Sequence, residues 1–156
     1  AAASLDPLSA EPWLEVSRIH YVGWQRGHGR AAEDQFDLAV RALEQASRLA
    51  PTRLDPIRLL ADLLESRAKK EPRFWSRASE AYERCVRMYP THAPLRARLA
   101  NAWWEGGRHD QARVEMARAL ELDTQTPHLD KKLDAVDREL IHVRLAFDKT
   151  LDLGAP

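Results

Sequence analysis

Small and large apolar residues recur along this chain at a spacing that belongs to one face of a helix. Three segments share steps of four, three and five residues: Ala39, Leu43, Ala46 and Pro51; Ala78, Tyr82, Cys85 and Pro90; Ala112, Met116, Ala119 and Thr124. The second set begins 39 residues after the first, and the third begins 34 residues after the second. Self-similarity at this period is typical of a solenoid, whose units bury their apolar faces against their neighbours.

Each set predicts the second helix of an antiparallel helical pair. Alanines such as Ala39 and Ala46 allow a close approach between helices, and Leu43 fills the remaining gap. The proline ends the helix because it lacks an N–H group and disfavours helical geometry in the preceding residue. Nine residues after Pro51 and Pro90 comes a second signature, which predicts the first helix of the next pair: Leu60, Ala61 and Leu64, then Leu99, Ala100 and Trp103.

The two signatures together resemble the tetratricopeptide repeat family. The third copy matches without an insertion and departs from the family only at Thr124, where the family usually has Pro. The resemblance implies an all-α, right-handed superhelical solenoid of three helix-turn-helix repeats, at residues 10–51, 52–90 and 91–124. Relative to the third copy, the second has five extra residues and the first has ten, so we expect long turns inside these pairs.

The two ends of the chain depart from the repeat. Residues 1–9, with Leu5-Asp6-Pro7, are interpreted as the end of a preceding repeat or a cloning remnant. Residues 125–148 predict a capping helix and residues 149–156 a tail. Asp134 and Asp137 stand where a further repeat would have apolar residues, which favours capping, although the apolar seam could also pair with a partner helix. That seam comprises Leu129, Leu133, Val136, Leu140, Val143 and Phe147.

The resemblance also implies a binding surface, because first helices of successive repeats in this family line a concave groove that holds peptides or partner helices. The positions expected to face this groove are Leu14, Arg18 and Tyr21, then Arg58, Asp62 and Glu65, then Ala97, Asn101 and Trp104. Trp104 is interpreted either as a partner contact on the groove wall or as a residue packed against the capping helix. The charges at Arg58, Asp62 and Glu65 do not reproduce the Lys and Asn arrangement with which some family members hold a peptide carboxylate.

Basic residues cluster at the turns inside the first two pairs and define a predicted basic rim: Arg26, Arg30, Arg67, Lys69, Lys70 and Arg73. Internal turns of a solenoid project from one edge, so this rim could recognise acidic peptides, phosphate groups or lipid headgroups. Alternatively, the cations complement the helix dipoles, while Trp24 and Trp75 attach the turns to the body of the protein.

Composition narrows the functional classes. The chain has 24 basic and 24 acidic residues, and this zero net charge argues against bulk attraction to nucleic acid. No run of about 18 apolar residues is present, so we expect no membrane span within this chain. Cys85, the one cysteine, stands at a small buried position of the repeat. The six histidines lack metal-ligand spacing, and we therefore predict no catalytic, cofactor or metal site.

These patterns predict a protein-interaction or scaffold module, not an enzyme, that docks a protein or peptide partner in its groove. A second hypothesis makes the chain the soluble part of a larger bacterial membrane enzyme, because residues 127–132 faintly resemble O-antigen polymerase/ligase proteins with appended repeats. Arg outnumbers Lys, which suggests a GC-rich bacterial source. The compartment, cytoplasm or periplasm, and the oligomeric state stay open.

Overall fold

The computed structural model describes the backbone of residues 9–151 and the side chains of residues 9–146. All regular secondary structure in this range is helical, which confirms the all-α prediction. The α-helices are α1 (Glu11–Arg26), α2 (Gly29–Leu49), α3 (Leu54–Ala68), α4 (Trp75–Met88), α5 (Ala93–Glu105), α6 (His109–Gln125) and α7 (Ala135–Leu151). Short 3-10 turns, Pro72–Phe74 and Leu129–Lys131, precede α4 and α7. Most of the predicted N-terminal segment and of the predicted tail lies outside the described residues.

The helices pack in consecutive pairs, α1 with α2, α3 with α4 and α5 with α6, and neighbouring pairs meet through α2–α3 and α4–α5. The repeated positions supply the packing residues. The small residues at these positions are fully buried and a large residue one turn away is buried beside each: Ala39 and Leu43, Ala78 and Tyr82, Ala112 and Met116. Small side chains bring the helix axes together, and the large ones fill the space between them.

The buried apolar residues form two clusters along the stack. The larger cluster runs from Leu14 in α1 to Ala102 in α5. The smaller one joins α5 and α6 to Ile141 in α7. Trp103 packs against both clusters, so α5 links the two halves of the core.

The extra residues of the first copy do not form the long turn expected from the sequence, whereas the connection inside the second pair is longer than that inside the third. In the first pair they lengthen the helices, and only Gly27 and His28 separate α1 from α2. Gly29, the first residue of α2, has a φ of 57°, a left-handed conformation that glycine adopts without steric cost. In the second pair, the added residues form the 3-10 turn Pro72–Phe74, which leads directly into α4.

The C-terminal helix begins later than predicted and turns a different face to the stack. Asp134 caps α7, since its Oδ1 accepts a hydrogen bond from the backbone N–H of Asp137 at 2.7 Å. Leu133 and Ile141 are buried. The rest of the predicted seam within the described side chains is exposed, whereas the Phe147 side chain lies outside them: Leu129, Val136, Leu140 and Val143. The predicted seam is therefore wrong. The helix begins only at Ala135, and its buried face includes Ile141 in place of the predicted Leu140.

Candidate partner-binding surface

A cleft of about 510 Å³ opens between α1 and α3. We call it the α1–α3 cleft. Its lining comes from three helices: Ser17, Arg18, Tyr21 and Val22 of α1, Leu43 of α2, and Leu59, Asp62, Leu63 and Ser66 of α3. Three predicted groove residues, Arg18, Tyr21 and Asp62, are thus brought together around one opening.

The floor of the α1–α3 cleft is apolar because its hydroxyl groups are satisfied within their own helices. Ser17 Oγ donates to the Leu14 carbonyl at 2.7 Å, and Ser66 Oγ donates to the Asp62 carbonyl at 2.9 Å. A hydroxyl group that already donates to a backbone carbonyl does not need a hydrogen bond from a ligand. Recognition in this cleft therefore depends on shape and apolar contact more than on the two serines.

The rim of the α1–α3 cleft exposes large apolar side chains. Tyr21 and Val22 are 41% and 44% exposed, next to the buried Leu43 and Leu63. Ile19, on the same helix, is also exposed. Apolar exposure continuous with a concave site is characteristic of partner-binding surfaces.

Exposed ion pairs lie beside the α1–α3 cleft. Arg18 Nη1 is 3.2 Å from Glu15 Oε2, and Arg58 Nη1 is 3.4 Å from Asp62 Oδ2. Exposed pairs of this kind contribute roughly 0–1 kcal/mol, so exchanging them for contacts with a partner costs little. The cleft thus has both signs of charge beside an apolar floor.

Glu65, another predicted groove residue, is buried in a hydrogen-bonded cluster between α3 and α4. Its carboxylate accepts from the Tyr82 hydroxyl at 2.5 Å and from Lys69 Nζ at 2.8 Å, with Arg98 Nη1 at 3.4 Å. Tyr82 Oη also lies 2.8 Å from Asp62 Oδ1. Burial acts to raise the pKa of Glu65, but the bonds from Lys69 and Tyr82 and the charge of Arg98 outweigh it and lower that pKa. Burial and the two carboxylates raise the pKa of Tyr82 above its usual range.

Two further predicted groove residues differ from the expectation of exposure. Leu14 and Ala97 are both buried and belong to the two core clusters. Leu14 stands two residues before Val16, and Ala97 stands two residues before Leu99. At this position the helix turn directs the side chain partly inward. The exposed part of the predicted groove therefore consists mainly of the side chains around the α1–α3 cleft.

Asn101 and Trp104, the predicted groove residues of α5, lie against α7. Arg144 of α7 donates to Asn101 Oδ1 at 2.7 Å and forms an ion pair with Glu105. Its guanidinium carbon is 5.2 Å from the Trp104 ring centroid. Trp104 also contacts His109, with ring centroids 4.6 Å apart. Packing against the C-terminal helix, one of the two interpretations of Trp104, is therefore observed.

Arg67 differs from the expectation of an exposed basic rim. It is 5% exposed, and its guanidinium lies 5.1 Å and 5.4 Å from the ring centroids of Phe36 and Phe74. It forms ion pairs with Glu33, at 2.5 Å, and with Glu71. Cation–π contacts and carboxylates together compensate a guanidinium for its lost hydration, which is why it can lie this deep.

Other members of the predicted rim also contact aromatic rings. Lys70 Nζ lies 5.1 Å from the Trp24 ring centroid, and the Arg73 guanidinium lies 5.1 Å from a phenylalanine centroid. Arg26 and Arg30 are exposed. The burial of Trp24 and Trp75 agrees with the interpretation in which these residues attach the turns to the body. Lys69, Lys70 and Arg73 are exposed, as Arg26 and Arg30 are, so the cations of that edge other than Arg67 are accessible.

The remaining candidate chemistry is limited. Within the described residues, no group of side chains is placed to hold a metal ion. Burial raises the pKa of the Cys85 thiol to about 11, so this group is protonated at neutral pH and acts as a packing residue. Over the same part of the chain, no helix is both long enough and apolar enough to cross a membrane.

Several lining residues of the α1–α3 cleft were not predicted. Leu59 and Leu63 stand one position before Leu60 and Leu64, so α3 carries a second apolar stripe beside the one that the repeat requires. That additional stripe was the available signal for the cleft. The contact made by Arg144 joins residues 43 positions apart and had no local signal.

Comparison with known proteins supports the tetratricopeptide resemblance. Residues 75–133 match a family model described as Tetratricopeptide repeat, a segment that begins with α4 and includes α5 and α6. None of the curated proteins searched matches the chain. The resemblance drawn from the sequence is thereby confirmed over residues 75–133.

Solved structures of MamA share the fold. A crystal structure of MamA protein is 22% identical, with a TM-score of 0.61, over 83% of this chain and 63% of that chain. A second MamA crystal structure is 22% identical, with a TM-score of 0.59, over 78% and 62%. A structure of MamA MSR-1 is 16% identical, with a TM-score of 0.58, over 77% and 60%. The chain thus spans less than two thirds of these structures, and the likeness shows a shared fold of stacked helices.

Proposed function

We propose that this chain is a protein-interaction module that docks an apolar segment of a partner protein in the α1–α3 cleft. A solenoid of this family suits a scaffold role. The observation that carries the proposal is the opening of about 510 Å³ with an apolar floor and with Tyr21 and Val22 exposed on its rim. Covering such a surface removes apolar area from water, at roughly 25 cal/mol per Å².

The cleft suits a partner segment with apolar anchors on one face. A helix that presents apolar residues at steps of three and four would place them along the cleft floor. Charged residues flanking those anchors would meet Arg18 and Glu15 on one side and Arg58 and Asp62 on the other. The partner is therefore expected to be amphipathic, and we propose binding without catalysis.

Site-specific photo-crosslinking tests this proposal. A photo-reactive residue at position 22 should crosslink to the partner, whereas the same residue at Val114, exposed on α6, should not. The partner, identified by mass spectrometry and purified, should bind the Tyr21→Asp variant at least about tenfold more weakly than wild type. Circular dichroism should show the variant equally helical, because Tyr21 is partly exposed. Equal crosslinking at both positions, or unchanged affinity of Tyr21→Asp, would contradict the proposal.

The second hypothesis, a part of a larger bacterial membrane enzyme, stays a prediction. Residues 127–132, which carry the resemblance to O-antigen polymerase/ligase proteins, include the 3-10 turn Leu129–Lys131 before α7. No contact of this turn favours that activity over a structural connection. Binding at the basic rim and the expected absence of nucleic-acid binding also stay predictions.

A further inference from the structure

The described side chains of the C-terminal helix contact the stack largely through polar groups. Among the described side chains of α7, Ile141 is buried and Leu145 is half-buried against the core. By contrast, α5, which is about as long as the part of α7 whose side chains are described, buries six side chains: Ala93, Leu95, Ala97, Leu99, Ala100 and Ala102. The other attachments of α7 are Arg144 and the bond from Arg138 Nε to Asp123 Oδ2 at 3.0 Å. Over residues 135–146, α7 thus buries little apolar area, and contacts of this kind give a small free energy of attachment.

The groups around Arg144 form a complete binding site for a guanidinium. Asn101 contributes an amide oxygen at 2.7 Å, Glu105 contributes a carboxylate, and Trp104 contributes a ring face 5.2 Å away. A guanidinium is planar and carries five N–H donors, so it can meet two acceptors at its edge and an aromatic ring at its face. The Arg144 side chain is only 12% exposed in this position, so the site surrounds its ligand.

This site continues the face that holds the α1–α3 cleft. Asn101 and Trp104 stand two and five residues after Leu99, and Arg18 and Tyr21 stand two and five residues after Val16, the equivalent position of α1. In a solenoid, equivalent positions of successive first helices lie along one surface. A partner segment that extends from the α1–α3 cleft along this surface would reach residues that α7 covers.

We propose that Asn101, Trp104 and Glu105 form a recognition site for an arginine of a partner helix, and that α7 occupies this site as an intramolecular competitor. The idea that one partner segment reaches this site from the α1–α3 cleft rests on the proposed function. The ability of Asn101, Trp104 and Glu105 to bind a guanidinium does not. The occupant is an arginine-bearing helix because the structure shows one seated there. Binding of a partner is weakened by the fraction of molecules in which α7 covers the site.

The test uses the full chain and a synthetic helix as the probe. A fluorescently labelled peptide of residues 135–151 is titrated into wild type and into the Arg144→Ala chain, and binding is followed by polarisation. The peptide should bind the Arg144→Ala chain roughly tenfold or more tightly than wild type, since the internal competitor is weakened. The same peptide carrying Arg144→Ala is the matched control and should bind both chains weakly.

Further variants assign the binding to this site. Adding Glu105→Gln or Trp104→Ala to the Arg144→Ala chain should abolish the gain, and Glu105 is exposed enough that its variant should fold. Adding Tyr21→Asp should leave peptide binding unchanged, so a failure of the α1–α3 cleft proposal would not imitate a failure here. Equal binding to wild type and Arg144→Ala, equal binding of both peptides, or no binding to any chain would overturn the proposal.

Discussion

The hydroxyl of Tyr82 connects α4 to two carboxylates of α3, and its removal tests the buried cluster. Tyr82→Phe keeps the ring and deletes the single hydroxyl donor, which lies 2.5 Å from Glu65 Oε2 and 2.8 Å from Asp62 Oδ1. A hydrogen bond to a charged group contributes about 1.5–3 kcal/mol, so the free energy of unfolding should fall by an amount of that order. For a chain of this size the melting temperature should fall by about 3–12 °C.

Urea denaturation followed by circular dichroism measures this change, and its pH dependence tests the cause. Because the pKa of Glu65 is lowered in the folded state, its contribution is present above the unfolded pKa and is lost as pH falls through the folded pKa. Tyr82→Phe removes part of that lowering, so the variant should lose less stability on acidification than wild type.

The matched control for this prediction is Tyr89→Phe. Tyr89 follows the last residue of α4 and is 46% exposed. The control should change the free energy of unfolding by less than about 0.5 kcal/mol, as is usual for surface substitutions. Equal effects of Tyr82→Phe and Tyr89→Phe, or an unaltered acid dependence in Tyr82→Phe, would refute the reasoning.

Three other outcomes are expected. Ala112→Leu, at a fully buried position, should overpack α6 against α5 and cost about 1–3 kcal/mol in urea denaturation, whereas the exposed Ala117→Leu should be nearly neutral; equal costs would contradict the assigned face of α6. Asp123→Ala removes the acceptor of the Leu133 N–H, 2.7 Å away, so hydrogen exchange of the Leu133 amide should accelerate. The amides of α3 should exchange as in wild type, and an unchanged rate at Leu133 would contradict the role of Asp123 as its acceptor. Cys85, with its raised thiol pKa, should resist alkylation at pH 8 in the folded protein and react fully in denaturant; rapid labelling of the folded chain would show that the thiol is accessible.

The pairing of helices could be predicted because it depends on local periodicity. The steps that join Ala78, Tyr82 and Cys85 mark one face of α4 whatever lies opposite, and all three residues are fully buried. The turns could not be predicted in the same way, since ten extra residues can lengthen two helices as readily as they form a loop. The connection between α1 and α2 is short because Gly29 adopts a positive φ without steric cost, which allows the chain to reverse over two residues.

The binding surface was only partly predictable, because exposure depends on contacts between distant segments. Glu65 occupies an expected groove position, but a tyrosine 17 residues later and Arg98 on α5 draw it into the interior. Likewise, the covering of Trp104 by Arg144 requires knowing where α7 turns after its cap. Repeat position indicates which helix face a residue belongs to, and the neighbouring elements determine whether that face is free.

Arg67 has a consequence for the order in which this solenoid comes apart. An array of repeats can usually fray from either end, since each unit touches only its neighbours. Here Arg67 of α3 contacts Phe36 and pairs with Glu33 of the helix before it, so detaching α2 would break an ion pair and a cation–π contact in addition to the apolar packing. The first four helices should consequently melt as one cooperative block, and stepwise fraying should be confined to the opposite terminus.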